Sequence, residues 1–287
     1  MSEEVNAVEE SLQYIHLTAN IISTIGSLVA LIVFLIAKPL HFYSFKLVFV
    51  LNLFDLIRSL TQIFPMFFKH IPDVLCEISG FVHIFAVFQT NYWSFAIAVT
   101  MYQALVLNNI YIEKYFYYWI SFGFTFPAAM CTTSAFLGLY GNIGHNCTLR
   151  LTSEGNIFRL IIIYIPGGLI TFGSAFIFLR LYKILSINTA DNLNREKIQA
   201  KRLFFYPLIL LVCIWPQLVL RIMQMDHKSS LDLMYVSSIL WGLQGFFNAL
   251  AYTLTKPVKE YMKEFLCSKR HISVVGQELM DDKPIEF

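Results

Sequence analysis

Apolar residues in this chain come in long unbroken runs rather than in alternation, and short polar clusters separate the runs. A bilayer core of about 30 Å takes roughly 20 apolar residues of helix. Seven runs reach that length: Tyr14–Ala37, Leu47–Phe68, Ile78–Leu107, Phe116–Tyr140, Phe158–Tyr182, Leu203–Met225 and Leu231–Leu254. The third is the longest and is expected to tilt. A membrane barrel would instead show alternating segments of about 10 residues. The pattern predicts an all-α membrane protein, a seven-transmembrane helix bundle spanning residues 14–254.

Composition sharpens this reading. Of 287 residues, 57% are hydrophobic and 14% charged, and the mean hydropathy is +0.60; a soluble domain carries about 25% charged residues. The lipid bilayer is therefore the first partner. A net charge of +2 gives no reason to expect a nucleic-acid partner. Residues 1–13 contain Glu3, Glu4, Glu9 and Glu10 and neither Lys nor Arg, so they are expected to be an acidic extracellular tail rather than a cleaved signal.

The 21 basic residues set the orientation. Lys38, Lys46, Lys114, Arg180, Lys183, Arg195, Lys197, Lys201, Arg202, Lys256, Lys259, Lys263, Lys269, Arg270 and Lys283 fall on one side. Only Lys69, Arg150, Arg159 and Lys228 fall on the other, with Arg58 and Arg221 inside spans. Basic residues stay cytoplasmic, so the N-terminus is expected outside and the C-terminus inside, in the plasma membrane. On the outer side lie Asn146-Cys147-Thr148, a glycosylation sequon, and the two cysteines facing an oxidising compartment, Cys76 and Cys147. Their pairing would pin the loop after span four over the mouth of the bundle.

Ionisable groups within a bilayer cost about 2.5–3.5 kcal/mol each on insertion scales, so each needs a reason. Asp55 and Arg58, three apart on one face of span two, suit an ion pair; Arg58 could equally point into a ligand cavity. Arg58, Arg221, Arg150 and Arg159 all lie in or above the outer half, where they would form a basic pocket for a phosphate or carboxylate. His83, near the outer end of span three, could line it. Gln89, Asn91, Gln244 and Asn248 suit bonds between helices, and Trp93 and Trp241 suit core or lipid contacts. Trp215 precedes Pro216, which removes a backbone hydrogen bond and lets span six bend.

From about Leu75 to Met262 the residues resemble a G-protein-coupled receptor, and most of all the slime-mould cyclic AMP receptor family. Carrying this are Cys76 with Trp93-Ser94-Phe95-Ala96-Ile97-Ala98-Val99-Thr100-Met101-Tyr102, then Lys114-Tyr115-Phe116-Tyr117-Tyr118-Trp119 leading to Gly123 and Pro127. Tyr140-Gly141-Asn142 before Cys147, Pro166, Cys213, Trp215, Arg221 and Gly245-Phe246 follow in order. Rhodopsin-type receptors differ. Span three ends Leu105-Val106-Leu107-Asn108-Asn109 with no acidic-Arg-Tyr triplet, and Asn248-Ala249-Leu250-Ala251-Tyr252 lacks the proline of Asn-Pro-x-x-Tyr. The resemblance implies a small-molecule extracellular ligand, a heterotrimeric G-protein partner and no cofactor. It also implies a switch involving Asp55, which would bind sodium or reorganise on activation, with Trp215, Pro216, Asn248 and Tyr252.

After Lys256-Pro257, Val258, Tyr261, Met262, Phe265 and Leu266 recur at helical spacing with Lys and Glu between them. An amphipathic eighth helix over 255–268 is expected along the inner leaflet, with Cys267 a palmitoylation candidate and 269–287 a cytoplasmic tail. None of the seven histidines stands in a His-Glu-x-x-His spacing, so neither an enzyme nor a metal site is expected. Span seven has no lysine for retinal. A transporter or channel is the alternative, with Asp55, Arg58 and Arg221 lining a path, as is a seven-helix receptor not coupled to G proteins.

Overall fold

The structure is a computed structural model and describes residues 2–38, 41, 43–68, 70–107, 109, 111–143, 146–150, 152–187, 205–225 and 230–265. Helices α1 (Ser2–Ile36), α2 (Tyr43–Ile63), α3 (Asp73–Leu105) and α4 (Phe116–Phe136) come first, followed by a hairpin of β1 (Tyr140–Ile143) and β2 (Asn146–Leu149). A helical rod, α5, comprises Ser153–Arg159, a π turn at Leu160–Tyr164 and Ile165–Ile187. Then come α6 (Phe205–Met225) and α7 (Leu231–Thr253), and residues 256–265 form α8. Among the described residues, five helical stretches are long and apolar enough to cross a membrane: Glu10–Ile36, Tyr43–Phe67, Asp73–Leu105, Ser153–Lys183 and Leu231–Thr253. The apolar part of α6, Phe205–Leu220, is shorter, and the Tyr, Trp, Ser and Thr residues of α4 dilute its apolar character.

The burial pattern inverts that of a soluble protein. Leu169, Phe172, Phe176 and Leu179 of α5 and Ile25, Leu28, Ile32 and Leu35 of α1 face outward, while Asn20, Ser23, Ser27, Asp55, Arg58, Ser59, Gln89 and Asn248 are enclosed. Lipid-facing apolar stripes around a polar interior are the arrangement a bilayer favours. Below these groups, Trp93, Leu47, Leu51, Ile97 and Met101 make a close-packed apolar core, with Trp93 wholly buried. Two glycines allow close approach. A Cβ on Gly123 would overlap the ring of Tyr92, and one on Gly245 would sit 2.9 Å from Ser27 Oγ and 3.0 Å from Asp55 Cβ.

Local chemistry sets the ends. Pro65 opens the 3-10 turn Phe64–Phe67 that closes α2, and α3 starts directly after Pro72 with Asp73 in its first turn. Thr152 caps α5 by accepting from the Gly155 N–H at 3.1 Å. Pro166 has no N–H to offer Ile162, and there the Ile165 N–H bonds Leu160 O in an i to i+5 step. The rod is thereby wound into the π turn.

Two helix ends lie away from the expected boundaries. Residues 2–13, expected as an outer tail, are helical and run on into the rest of α1; they contain no Gly or Pro, and glutamates favour a helix N-terminus. The Ser11 hydroxyl lies 2.6 Å from Tyr235 Oη, which ties this extension to α7. The span expected to run to Tyr140 stops at Phe136, because Gly138 adopts φ +62° and turns the chain into the hairpin.

Candidate functional site

The hairpin lies against α3. Its strands pair antiparallel with Tyr140 opposite Leu149 and Asn142 opposite Cys147, and Tyr140 and Leu149 pack with Ile84, Cys131 and Ile162. Cys147 is joined to Cys76, the pairing expected from the sequence. Asn146 is in β2, with its side chain outside the described residues. Thus the loop is a folded cover anchored to the first turn of α3.

Beneath it is a cavity of about 470 Å³. Every helix from α1 to α7 except α4 contributes to its wall, including His16, Gln62, His83, Asn91, Arg159, Gln217, Ser237 and Trp241, and the hairpin adds Ile143 and Thr148. Apolar Ile84, Val87, Ile214 and Leu218 alternate with these polar groups. A mostly apolar concavity with a few polar groups is the usual form of a small-molecule site. The π turn places Ile163 and Tyr164 on this wall.

His83 is held by a defined set of bonds. The single proton of Thr61 Oγ1 goes to Arg58 O at 2.8 Å, so His83 Nδ1–H donates to Thr61 Oγ1 at 3.1 Å. In that tautomer His83 Nε2 accepts from Gln62 Nε2 at 2.7 Å.

The five expected ligand-binding residues separate. His83 and Arg159 are on the cavity wall, and Arg159 also donates to Leu149 O. Arg150 is half-exposed and meets Glu77 at 3.5 Å; its carboxylate partner holds it outside the cavity wall. Arg221 belongs to α6, with its side chain outside the described residues. Arg58 is completely buried and off the wall. Its Nη1 donates to Trp241 O at 3.0 Å, its guanidinium lies 5.1 Å from the centre of the Trp241 ring, and its Nε is 3.9 Å from Asp55 Oδ1. Asn248 Nδ2 donates to Asp55 Oδ2 at 2.7 Å.

Among the expected switch residues, Tyr252 is buried edge-on to Phe45 at 5.4 Å. Pro216 lies inside α6. Trp215 is half-exposed against Phe172, and α6 presents Ile214, Gln217 and Leu218 to the cavity. Gln89 bonds between helices as expected, donating to Gly123 O at 2.6 Å and accepting from Trp93 Nε1 at 2.9 Å. The residue that sequence reasoning missed is Trp241, which joins the cavity wall to Arg58. Its position three residues before the buried Gln244 and seven before Asn248, on one helical face, was the available signal.

Comparison with known proteins agrees with this architecture. Residues 9–247 match the family described as 7 transmembrane receptor (Secretin family). Cyclic AMP receptor-like protein A of Dictyostelium discoideum is 21% identical, over 89% of this chain and 68% of that protein. Cyclic AMP receptor-like protein E of the same organism is 23% identical, over 86% of this chain and 92% of that protein. The ascaroside receptor GPR2 of Arthrobotrys oligospora is 29% identical over 58% of this chain, which spans 42% of that longer relative. This chain is similar to the cyclic AMP receptor-like proteins and belongs to the secretin-type family of seven-transmembrane receptors.

Proposed function

We propose that the protein is a G-protein-coupled receptor of the plasma membrane. Seven helices, α1 to α7, cross the bilayer with the N-terminus outside and the C-terminus in the cytoplasm, and α8 lies along the inner leaflet. A small extracellular ligand occupies the cavity beneath the hairpin, and movement of α6 about Pro216 opens the cytoplasmic side to a heterotrimeric G protein. The observation that carries this reading is the cavity of about 470 Å³, lined by six of the helices and by the hairpin.

Three further observations support it. Arg159 and His83 on the wall suit an anionic or hydrogen-bonding ligand, which makes small anions such as cyclic nucleotides the first compounds to test. On the seven-span topology, fifteen of the 21 basic residues belong to the loops and tail assigned to the cytoplasmic side, where such residues are retained. In α8, Val258 is buried, Tyr261 Oη donates to Ile36 O at 3.0 Å, and Lys256, Lys259 and Lys263 are exposed. That is the two-sided character of an interfacial helix. Asn146 is the proposed glycosylation site; Cys267, the proposed palmitoylation site, lies outside the described residues.

The test is ligand-induced stabilisation of the purified chain. Melting temperature is measured with cyclic nucleotides and other small anions, on the parent protein and on His83→Ala and Arg159→Ala. Stabilisation of the parent that is reduced in both variants supports the cavity as the ligand site. Equal stabilisation in all three places the ligand elsewhere.

A further inference from the structure

Arg58 is a fully buried cation whose hydrogen-bonding capacity is largely unmet. Its side chain carries five N–H donors, and among the described residues Nε and Nη2 have no hydrogen-bond partner. The acceptor that would answer them is close: Asp55 Oδ1 is also without a hydrogen-bond partner, and it lies 3.9 Å from Nε. A charge-assisted N–H···O bond closes to about 2.7–2.9 Å, so the pair is about 1 Å short of engagement. What occupies Arg58 instead is Trp241, through a 3.0 Å bond to the backbone carbonyl and the ring 5.1 Å from the guanidinium carbon. Two adjacent orphaned groups beside a third residue form an element with two arrangements: the guanidinium against the Trp241 ring, or closed on Asp55 Oδ1.

The third residue is also on the cavity wall. Building on the receptor reading above, we infer that Trp241 is a ligand-contact residue and Arg58 its positioning residue. A planar or apolar ligand group that displaces the indole removes the ring from the guanidinium and lets Nε and Nη2 close on Asp55, while Nη1 keeps its bond to the Trp241 backbone carbonyl. The rearrangement reaches α7 at a second point, because Asp55 Oδ2 accepts from Asn248, one helical stripe below Trp241. Gly245, between them on α7, packs on Asp55 without a side chain to block the change. The ligand thus exerts its differential effect through contacts that differ between the two arrangements, as a switch requires.

The experiment uses the full chain in lipid nanodiscs with its four tryptophans labelled as 5-fluorotryptophan, the Trp241 fluorine resonance being assigned with Trp241→Phe. Asp55→Asn removes the charge that draws Arg58 away and should move the resonance toward the guanidinium-covered position. Asp55→Glu extends the carboxylate toward Arg58 and should move it the other way, toward the position seen in Arg58→Gln. Helical content and melting temperature identify any variant that fails to fold. Opposite shifts for the two Asp55 variants support the relay. A common shift in both, or no shift, overturns it, since a merely structural ion pair gives no reason for opposite signs. In parallel, nucleotide exchange on a G protein should differ about fivefold or more between Asp55→Asn and Asp55→Glu. Opposite fluorine shifts with flat exchange would leave the relay standing and remove the receptor reading. Active exchange that is unchanged by both variants, with no fluorine shift, would do the reverse.

Discussion

Asn248 donates to Asp55 Oδ2 at 2.7 Å and so ties α7 to α2 across 193 positions of sequence. Both residues are fully buried. The bond spares one oxygen of a carboxylate that Arg58 meets only at 3.9 Å. Replacing Asn248 with Leu leaves that oxygen unsatisfied, and hydrogen bonds to charged groups contribute about 1.5–3 kcal/mol. The purified variant should melt several degrees lower, and Asn248→Asp, which sets two carboxylates together, should melt lower still. Equal melting of Asn248→Leu and the parent would remove this bond from the stability of the bundle.

Gly245 carries the second prediction. A methyl group here meets Ser27 Oγ at 2.9 Å and Asp55 Cβ at 3.0 Å, both on helices rather than at the ends of long flexible side chains. Overpacking of this kind costs about 1–3 kcal/mol. Gly245→Ala should lower the melting temperature, and Gly245→Val should lower it further and reduce the folded yield. The control is Gly168→Ala: a Cβ there meets nothing within 4 Å, so no steric loss is expected.

The disulfide closes a sequence separation of 71 residues, for which chain-entropy arithmetic gives about 4 kcal/mol. A protease site placed between α3 and α4 tests it directly. Cleaved protein should run as one species on a non-reducing gel and as two after reduction, and Cys147→Ser should give two under both conditions. The same variant should lose ligand-induced stabilisation, because the hairpin that supplies Ile143 and Thr148 to the cavity is no longer held to α3.

Trp215 and Ile214 are neighbours with opposite expectations. Trp215 is half-exposed, and Ile214 is buried on the cavity wall. Trp215→Leu should alter stability by no more than about 0.5 kcal/mol, as for substitutions away from packed features. Ile214→Ala should cost about 2 kcal/mol or more and weaken ligand binding. A ligand response lost in Trp215→Leu and kept in Ile214→Ala would reverse the facing of α6.

The number and rough limits of the apolar runs were legible because helix length follows directly from bilayer thickness. The i, i+3 pairing of Asp55 with Arg58 was legible because helical spacing puts both on one face. Rotation of the helices was not. A span such as α5 is apolar on both its lipid and its packed side, and where polar residues are enclosed in the bundle the amphipathic pattern is inverted, so periodicity does not by itself say which side faces in. Hence Trp215 could not be told from Ile214, nor could Arg58 be placed behind Trp241 instead of on the wall. The hairpin is a different case. Its strands have four residues each and adjoin a long apolar run, and the run hid them. The helical start of α1 carries glutamates, which suit a solvated outer segment and a helix N-terminus equally well, so its conformation does not follow from composition.

On the proposed function, a ligand in the cavity acts on a G protein through this bundle. The most direct test is nucleotide exchange on purified heterotrimeric G proteins by the full chain in nanodiscs, with each compound that raises its melting temperature. The account predicts exchange that rises with the concentration of such a compound and falls to the unliganded rate in His83→Ala and Arg159→Ala. Folded protein that binds the compound in the cavity and leaves exchange by every G protein tested at the unliganded rate would contradict it.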